Sequence, residues 1–398
     1  MLIPNSYTEY YMKNVKLFYI YIYIVPALLS LILISFGGTL LGDFRSFSYD
    51  MKASDFLLTL IQVLIPLIIL YLLLKLVNNI AITKEKGKLF EGFILILFVF
   101  IFFITFFFGA IKIGEENVGG LTGLLMSLVV KLNPYLLLGL LAFSNIKTKS
   151  FVLCLAICIF YCFKQVSLQG YLISLFSLIT FLLIRGKIGN KLFFSMLIMP
   201  FLLYSVLFEV LTYIYTLRNE MRGVEFDASQ IMSLAVGRVS SLSSYIYIRE
   251  SIYSYTSVSD FFSLGIFLER VLGVGFLDTV SPSAIFNNAE LGEADYSIFL
   301  GLNGFLLSLY KSSVFIFHFN IIIILICFCL MFQMIPFFDR KNRVAMFFFI
   351  MYMPFLSFDI WEFSIIFQSL ILLNLLYFFY RLSVFCFSYI FYPRHSKS

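Results

Sequence analysis

Apolar residues run in long blocks separated by short polar connectors, from Leu17 to Tyr380. The blocks fall at 17–36, 56–77, 89–110, 120–143, 150–163, 168–184, 192–214, within 298–337, 344–358 and 364–381. They do not alternate as strands do. In lipid every backbone polar group needs a partner within the protein, so blocks near 20 residues predict membrane-crossing helices. Blocks 150–163 and 344–358 are short for a hydrocarbon core of about 30 Å and predict tilted pairs or helices that run into their connectors. Block 298–337 is too long for one helix and is interrupted at Tyr310-Lys311-Ser312-Ser313. It predicts one crossing plus an interfacial or re-entrant helix.

Charge in the connectors gives an orientation. One set carries Lys13/Lys16, Lys84/Lys86/Lys88, Lys147/Lys149, Arg185/Lys187/Lys191, Arg340/Lys341/Arg343 and Arg381/Arg394/Lys397, sixteen basic residues against the acids Glu9, Glu85 and Asp339. The alternate set is mostly acidic: Asp43, Asp50, Asp55, Glu115, Glu116, Asp359 and Glu362. Basic connectors stay on the cytoplasmic side. The expectation is an all-α polytopic membrane protein of about ten crossings with both termini in the cytoplasm. It divides into seven crossings over 1–214, a long outer loop with short helices at 215–297, and the remaining helices and a cytoplasmic tail over 298–398. A second full crossing within 298–337 would place the basic cluster at 339–343 outside, against the charge rule.

Composition agrees. The chain is 61% hydrophobic and 13% charged with mean hydropathy +0.99, where soluble domains carry about 25% charged residues. The formal charge of +6 sits in short clusters between apolar blocks, which is no nucleic-acid footprint. The first block is too long for a signal peptide and lacks a small-residue cleavage site. The six cysteines lie in or beside apolar blocks, so no disulfide framework is expected. Cys154, Cys158 and Cys162 share one helix face as small packing residues.

The chemistry concentrates in the stretch 217–310, which holds ten acidic side chains. Between 215 and 297 there are five arginines (218, 222, 238, 249, 270) and no lysine, although the whole chain has 17 Lys and 11 Arg. A planar guanidinium fork grips phosphate or carboxylate through two bonds. Arg218 and Arg222, spaced i, i+4, continue the helix of the seventh crossing. Arg238 and Arg249, eleven apart, fall on one face of a continuous helix. The arginines can hold a pyrophosphate, or they can simply pair with local acids, as Arg249 with Glu250. Clustered serines and tyrosines at 240–255 suit a polyol ligand or form an interfacial aromatic belt.

The two histidines, His318 and His395, lie outside this stretch. Proton transfer there falls to a carboxylate, and Asp295 is the best placed. No cluster has metal-ligand spacing, and no metal or cofactor is expected. Two charges sit at membrane depth, Lys131 and Glu209, and mark an intramembrane site. Alternatively Lys131 snorkels, or a helix broken at Pro134 leaves it near the interface, and Glu209 lies one to two turns from the outer end of its crossing.

Three local patterns carry a resemblance. They are Gly237-Arg238, then Leu272-Gly273-Val274-Gly275-Phe276, then Asp295-Tyr296 followed by Leu300-Gly301-Leu302-Asn303-Gly304-Phe305. Together with the late outer loop they resemble the bacterial O-antigen polymerase family, related to the O-antigen ligases. The motif match covers about 237–310. Ligases of the group usually carry a histidine in the outer loop, and none stands here. The resemblance implies glycosyl transfer at the periplasmic face of the bacterial inner membrane in lipopolysaccharide biosynthesis. Donor and acceptor would be repeat units linked to undecaprenyl pyrophosphate. It implies Arg238 and Asp295 as catalytic groups, with Arg218, Arg222 and Arg249 on the pyrophosphate. It also implies membrane lipid and a polysaccharide chain-length regulator as partners. A lipid-linked oligosaccharide flippase and an O-antigen ligase are the competing expectations.

Overall fold

The computed structural model describes residues 5–45, 47–80, 88–111, 120–165, 167–220, 231–250, 301–335, 342–357 and 360–391. Among these residues nearly everything is helix, and the pairing of strand type is the single bridge Thr39–Ser48. In chain order the helices are α1 (Asn5–Gly37), α2 (Ala53–Ile80), α3 (Lys88–Phe108), α4 (Gly120–Leu132) and α5 (Pro134–Ala142). Then come α6 (Thr148–Gln165), α7 (Leu168–Ile184), α8 (Asn190–Leu202), α9 (Tyr204–Glu220), α10 (Ile231–Ser240) and α11 (Leu242–Glu250). The last five are α12 (Gly301–Ser312), α13 (Val314–Met334), α14 (Arg343–Ile350), α15 (Tyr352–Ser357) and α16 (Ile360–Phe391).

Seven stretches of described helix are long and apolar enough to cross a membrane: Lys13–Gly37, Ser54–Asn79, Leu89–Phe108, Gly120–Ala142, Thr148–Gln165, Phe317–Met334 and Phe363–Cys386. This is the make-up of a multi-pass membrane protein. Leu168–Ile184 and Asn190–Met199 are apolar but shorter. The outer faces agree. On α2 the exposed residues Leu58, Ile61, Ile65, Ile68, Leu72 and Leu76 form one stripe, while Val63, Leu70 and Leu74 are buried. A stripe of exposed aliphatics at helical spacing belongs in lipid, where a soluble helix would place charge.

Several blocks differ in extent or continuity from single helices. Block 120–143 divides at Asn133, whose φ is 50° and whose Oδ1 accepts from Leu136 N at 3.1 Å. Pro134 has no N–H to extend α4 and starts α5 instead. Block 192–214 divides at Leu203, three residues after Pro200, and its second half runs on to Glu220. Block 344–358 is two short pieces, α14 and α15, joined at Met351. Block 364–381 is the core of a much longer helix, α16. Within 298–337, α12 ends at Ser312 and α13 begins at Val314.

The chain folds as two compact units. The first comprises 1–81, 182–330 and 344–365, and the second 82–181, 331–343 and 366–398. In the first unit, Tyr23 of α1 packs edge-on against Phe348, Tyr352 and Phe355. Phe328 of α13 stacks on Phe363. In the second, Phe151 stacks face to face on Phe181 with centroids 3.9 Å apart, and Tyr377 packs against Phe90 and Phe93. Arg343, expected in an aqueous connector, is fully buried there. Its Nη2 lies 3.4 Å from the Phe332 carbonyl and from Gln333 Oε1, and its guanidinium covers the Phe332 ring.

Candidate functional site

The first unit gathers the described part of the polar stretch against the connector between α1 and α2. That connector folds back on itself. Leu40 N donates to the Phe47 carbonyl at 2.9 Å and Tyr49 N to the Gly38 carbonyl at 2.9 Å. A short 3-10 turn, Gly42–Phe44, stands at its tip. Gly42 has φ +70°, which an L side chain rarely adopts. Opposite it lies Gly237 of α10. A Cβ at 237 would stand 2.5 Å from the Leu41 carbonyl carbon and closer still to Gly42. Two backbones touch here because both residues lack a side chain.

This approach brings Asp43 to Arg238. Asp43 Oδ1 accepts from Arg238 Nη2 at 2.9 Å and from Nε at 3.1 Å. The aspartate side chain is 3% exposed and the arginine 27% exposed, so the acid is sealed in while part of the arginine side chain reaches the surface. Around the pair the serines serve as clamps. Ser30 Oγ of α1 and Ser240 Oγ share a hydrogen bond at 2.6 Å, and Ser243 Oγ accepts from Leu41 N at 2.8 Å. Tyr247 lies against Phe44 and Phe47 with ring centroids 4.7 and 4.6 Å away.

Ser241, at φ 51°, separates α10 from α11. The expectation that Arg238 and Arg249 share one continuous helix face is therefore corrected. They lie on two helices, yet both reach the same connector. Arg249 donates through Nε to Glu250 at 2.8 Å, through Nη1 to Thr59 Oγ1 at 2.8 Å, and through Nη2 to the Tyr49 hydroxyl. Its fork is committed to protein partners. Burial opposes its charge, but Glu250 and the neighbouring Tyr49 outweigh this, so its pKa lies above the ordinary arginine value. Burial also pushes the Tyr49 and Tyr245 hydroxyls up, against the lowering effect of Arg249.

The N-terminal end of α12 completes the corner. Gly301, at φ +67°, sits so close to Ser241 that a Cβ there would overlap the serine side chain. A Cβ at Gly304 would stand 3.2 Å from Ile248 Cδ1. Asn303 Nδ2 donates to the Val63 carbonyl of α2 at 3.2 Å. Lys311 Nζ donates to the carbonyls of Ile248 and Arg249, closing the C-terminal end of α11, where cations are favoured. Segment 301–305 thus packs on Ser241 and Ile248, which follow along the chain from the Gly237-Arg238 segment that holds Asp43.

The other expected residues stand as follows. Position 218 is in the last turn of α9. Arg222, Arg270, the segment 272–276 and Asp295 lie outside the described residues. Glu209 is on an exposed face of α9. Lys131 belongs to the second unit, half-buried, two residues before the Asn133 break. Cys158 and Cys162 pack beside Ser174 Oγ at 3.4 and 4.0 Å. Among the described residues no three of His, Cys, Asp and Glu form a group that could hold a metal ion.

Asp43 is the site residue that sequence reasoning missed. In the sequence it is one of several outer acids. The signal was a pair of complementary dipeptides, Gly42-Asp43 and Gly237-Arg238. Compared with family models, curated proteins and solved structures, the chain matches none.

Proposed function

We propose that this protein polymerises O-antigen repeat units carried on undecaprenyl pyrophosphate, at the periplasmic face of the bacterial inner membrane. In this reading it has about ten crossings and both termini in the cytoplasm. The observation that supports it is the corner in which α10 and α11 hold the Asp43 connector through Gly237-Arg238 and the Gly301–Phe305 segment through Ser241 and Ile248, with the Arg238 side chain about a quarter exposed.

The chemistry asks for little more than such a corner. The acceptor hydroxyl oxygen attacks the anomeric carbon of the donor. The bond from that carbon to the pyrophosphate oxygen breaks, and the electron pair leaves with the pyrophosphate. The acceptor proton passes to a carboxylate, for which Asp295 is proposed. Arg238 stabilises the charge that grows on the departing oxygen, and Arg218 and Arg222 hold the rest of the diphosphate. Arg249 helps by fixing the connector that carries Asp43, since each of its three nitrogens already bonds to protein.

Glycan ladders from a deletion strain complemented with variants test the reading. The deletion leaves lipid A-core bearing one repeat unit. Arg238→Ala and Arg238→Lys both reproduce that single-unit product, because lysine supplies charge without the fork. A deletion that leaves no repeat unit on the core, with polymer accumulating on the lipid carrier, would assign the chain to ligation instead. Repeat units stranded on the cytoplasmic face would assign it to flipping. Full-length glycan from both Arg238 variants would remove Arg238 from the reaction.

A further inference from the structure

A second feature of the first unit lies away from the Arg238 corner. Between α1, α2 and α14 there is an open apolar cleft. Its walls are almost wholly carbon, from Ile20 and Ile24 on one side and Leu64, Leu67 and Ile68 on the other. Phe348 of α14 forms the floor. Tyr23 touches it from α1 and Tyr71 from α2, with ring centroids 5.6 and 6.1 Å away. The Tyr23 hydroxyl donates to the Phe348 carbonyl at 2.6 Å. That carbonyl is in the last turn of α14, where helical partners run out. The floor is thus fixed in place. Ile20 and Ile68 at the rim are both about half exposed. Because α1 and α2 are membrane spans, that open side faces lipid chains.

The charges around the cleft all lie at one end. Thr39–Ser48 turns the chain back, so α2 runs antiparallel to α1. Shared contact with Phe348 puts Tyr23 and Tyr71 at one level. From there Lys16, which lines the cleft, is seven residues toward the start of α1, and Lys13 is one turn beyond. On α2, Lys75 follows Tyr71 by one turn in the same direction. All three lysines are exposed. An apolar trough with aromatic walls and cations at one end matches a lipid with an anionic headgroup. It does not match a neutral lipid, which gains nothing from the lysines, nor an apolar helix of a partner.

We propose that this cleft is a binding site for an anionic phospholipid, one acyl chain lying along Phe348 and the headgroup phosphate at the Lys16–Lys75 end. The site is independent of the glycan chemistry proposed above. Each lysine near an anionic headgroup contributes about 1 kcal/mol, about fivefold in affinity.

Fluorescence quenching by brominated lipids tests it on the full chain. The native tryptophan, Trp361, is removed as Trp361→Phe, and a reporter is introduced as Ile20→Trp. A parallel reporter, Ile68→Trp, covers the case in which the first variant does not fold. Phe103→Trp on the exposed face of α3 is the control for bulk lipid. The proteins are reconstituted in mixtures of dibrominated phosphatidylglycerol and phosphatidylcholine. At the cleft, phosphatidylglycerol is expected to be favoured at least fivefold, with no preference at the control. Lys16→Ala with Lys75→Ala should bring the cleft to the control's ratio. Equal quenching by both lipids, or a preference unchanged by the lysine substitutions, would overturn the proposal. No quenching by either lipid would mean that protein fills the cleft, and loss of quenching with stoichiometric polyprenyl phosphate would assign it to a prenyl chain.

Discussion

Arg238 donates to Asp43 through two nitrogens, yet keeps about a quarter of its side chain open. That division suits a cation that must meet a ligand without moving. A guanidinium already aligned by a sealed carboxylate does not reorganise when charge develops beside it. Asp43→Asn keeps the shape but removes the charge, and hydrogen bonds between charged groups are worth about 1.5–3 kcal/mol. The variant should lose that much stability, seen as a lower melting temperature in detergent, and should shorten the glycan ladder. The exchange Asp43→Arg with Arg238→Asp separates the two roles. It restores an ion pair at the same place, so melting should recover in part. The cation then hangs from the connector, so polymer should stay absent. Polymer restored by the exchange would mean that the pair only holds the corner together.

At the scale of elements, the corner depends on glycines for opposite reasons from those elsewhere. Gly237 and Gly92 both lie inside helices, where alanine is ordinarily better by about 0.5–1 kcal/mol. At Gly92 of α3 the nearest atom to an added Cβ is the Tyr380 hydroxyl at 3.9 Å, an ordinary contact. At Gly237 the Cβ meets backbone at Leu41 and Gly42, which cannot swing aside. Gly92→Ala should therefore raise the melting temperature slightly. Gly237→Ala should lower stability by about 1–3 kcal/mol, the usual cost of overpacking. Equal effects of the two would show that the α10 contact with the connector contributes nothing to stability. The sequence made the long helices legible, since 56–77 and 89–110 fall within a few residues of α2 and α3. Its Pro134 signalled the break at Asn133, but it hid the breaks at Leu203, Ser241 and Met351, because a helix end set by φ and capping leaves apolar content unchanged. It also hid the Asp43–Arg238 pair, whose members are 195 positions apart. Hydropathy is local, and an ion pair between connectors is not.

For the whole molecule, the unusual element is 343–357. Read as a crossing, it is too short, since its 15 residues rise about 22 Å against about 30 Å of hydrocarbon. Its neighbours in the first unit supply the difference. Val344 lines the cleft together with Lys16 of α1. At the far end, the Leu356 carbonyl stands 3.6 Å from where a Cβ on Gly301 would lie, beside Ser241. Ser240 in turn bonds to Ser30, seven residues before the end of α1. The α10–α11 corner is thus sunk about 10 Å below the end of α1. A helix that starts level with Lys16 needs only to reach Ser30 to meet it. Protein rather than lipid covers nearly all of the segment, so bilayer thickness does not set its length. This geometry supports a crossing by 343–357. Added cysteines in the full chain test it, in a background with Cys386→Ser. An impermeant maleimide on intact cells should label Ser229→Cys and Asp359→Cys, while Lys86→Cys and Lys341→Cys should react only after permeabilisation. Labelling of both Lys341→Cys and Asp359→Cys from the same side would make 343–357 a re-entrant hairpin. It would then reverse the orientation of α16 relative to the basic connectors, and the sunken corner would face a cavity closed from one side.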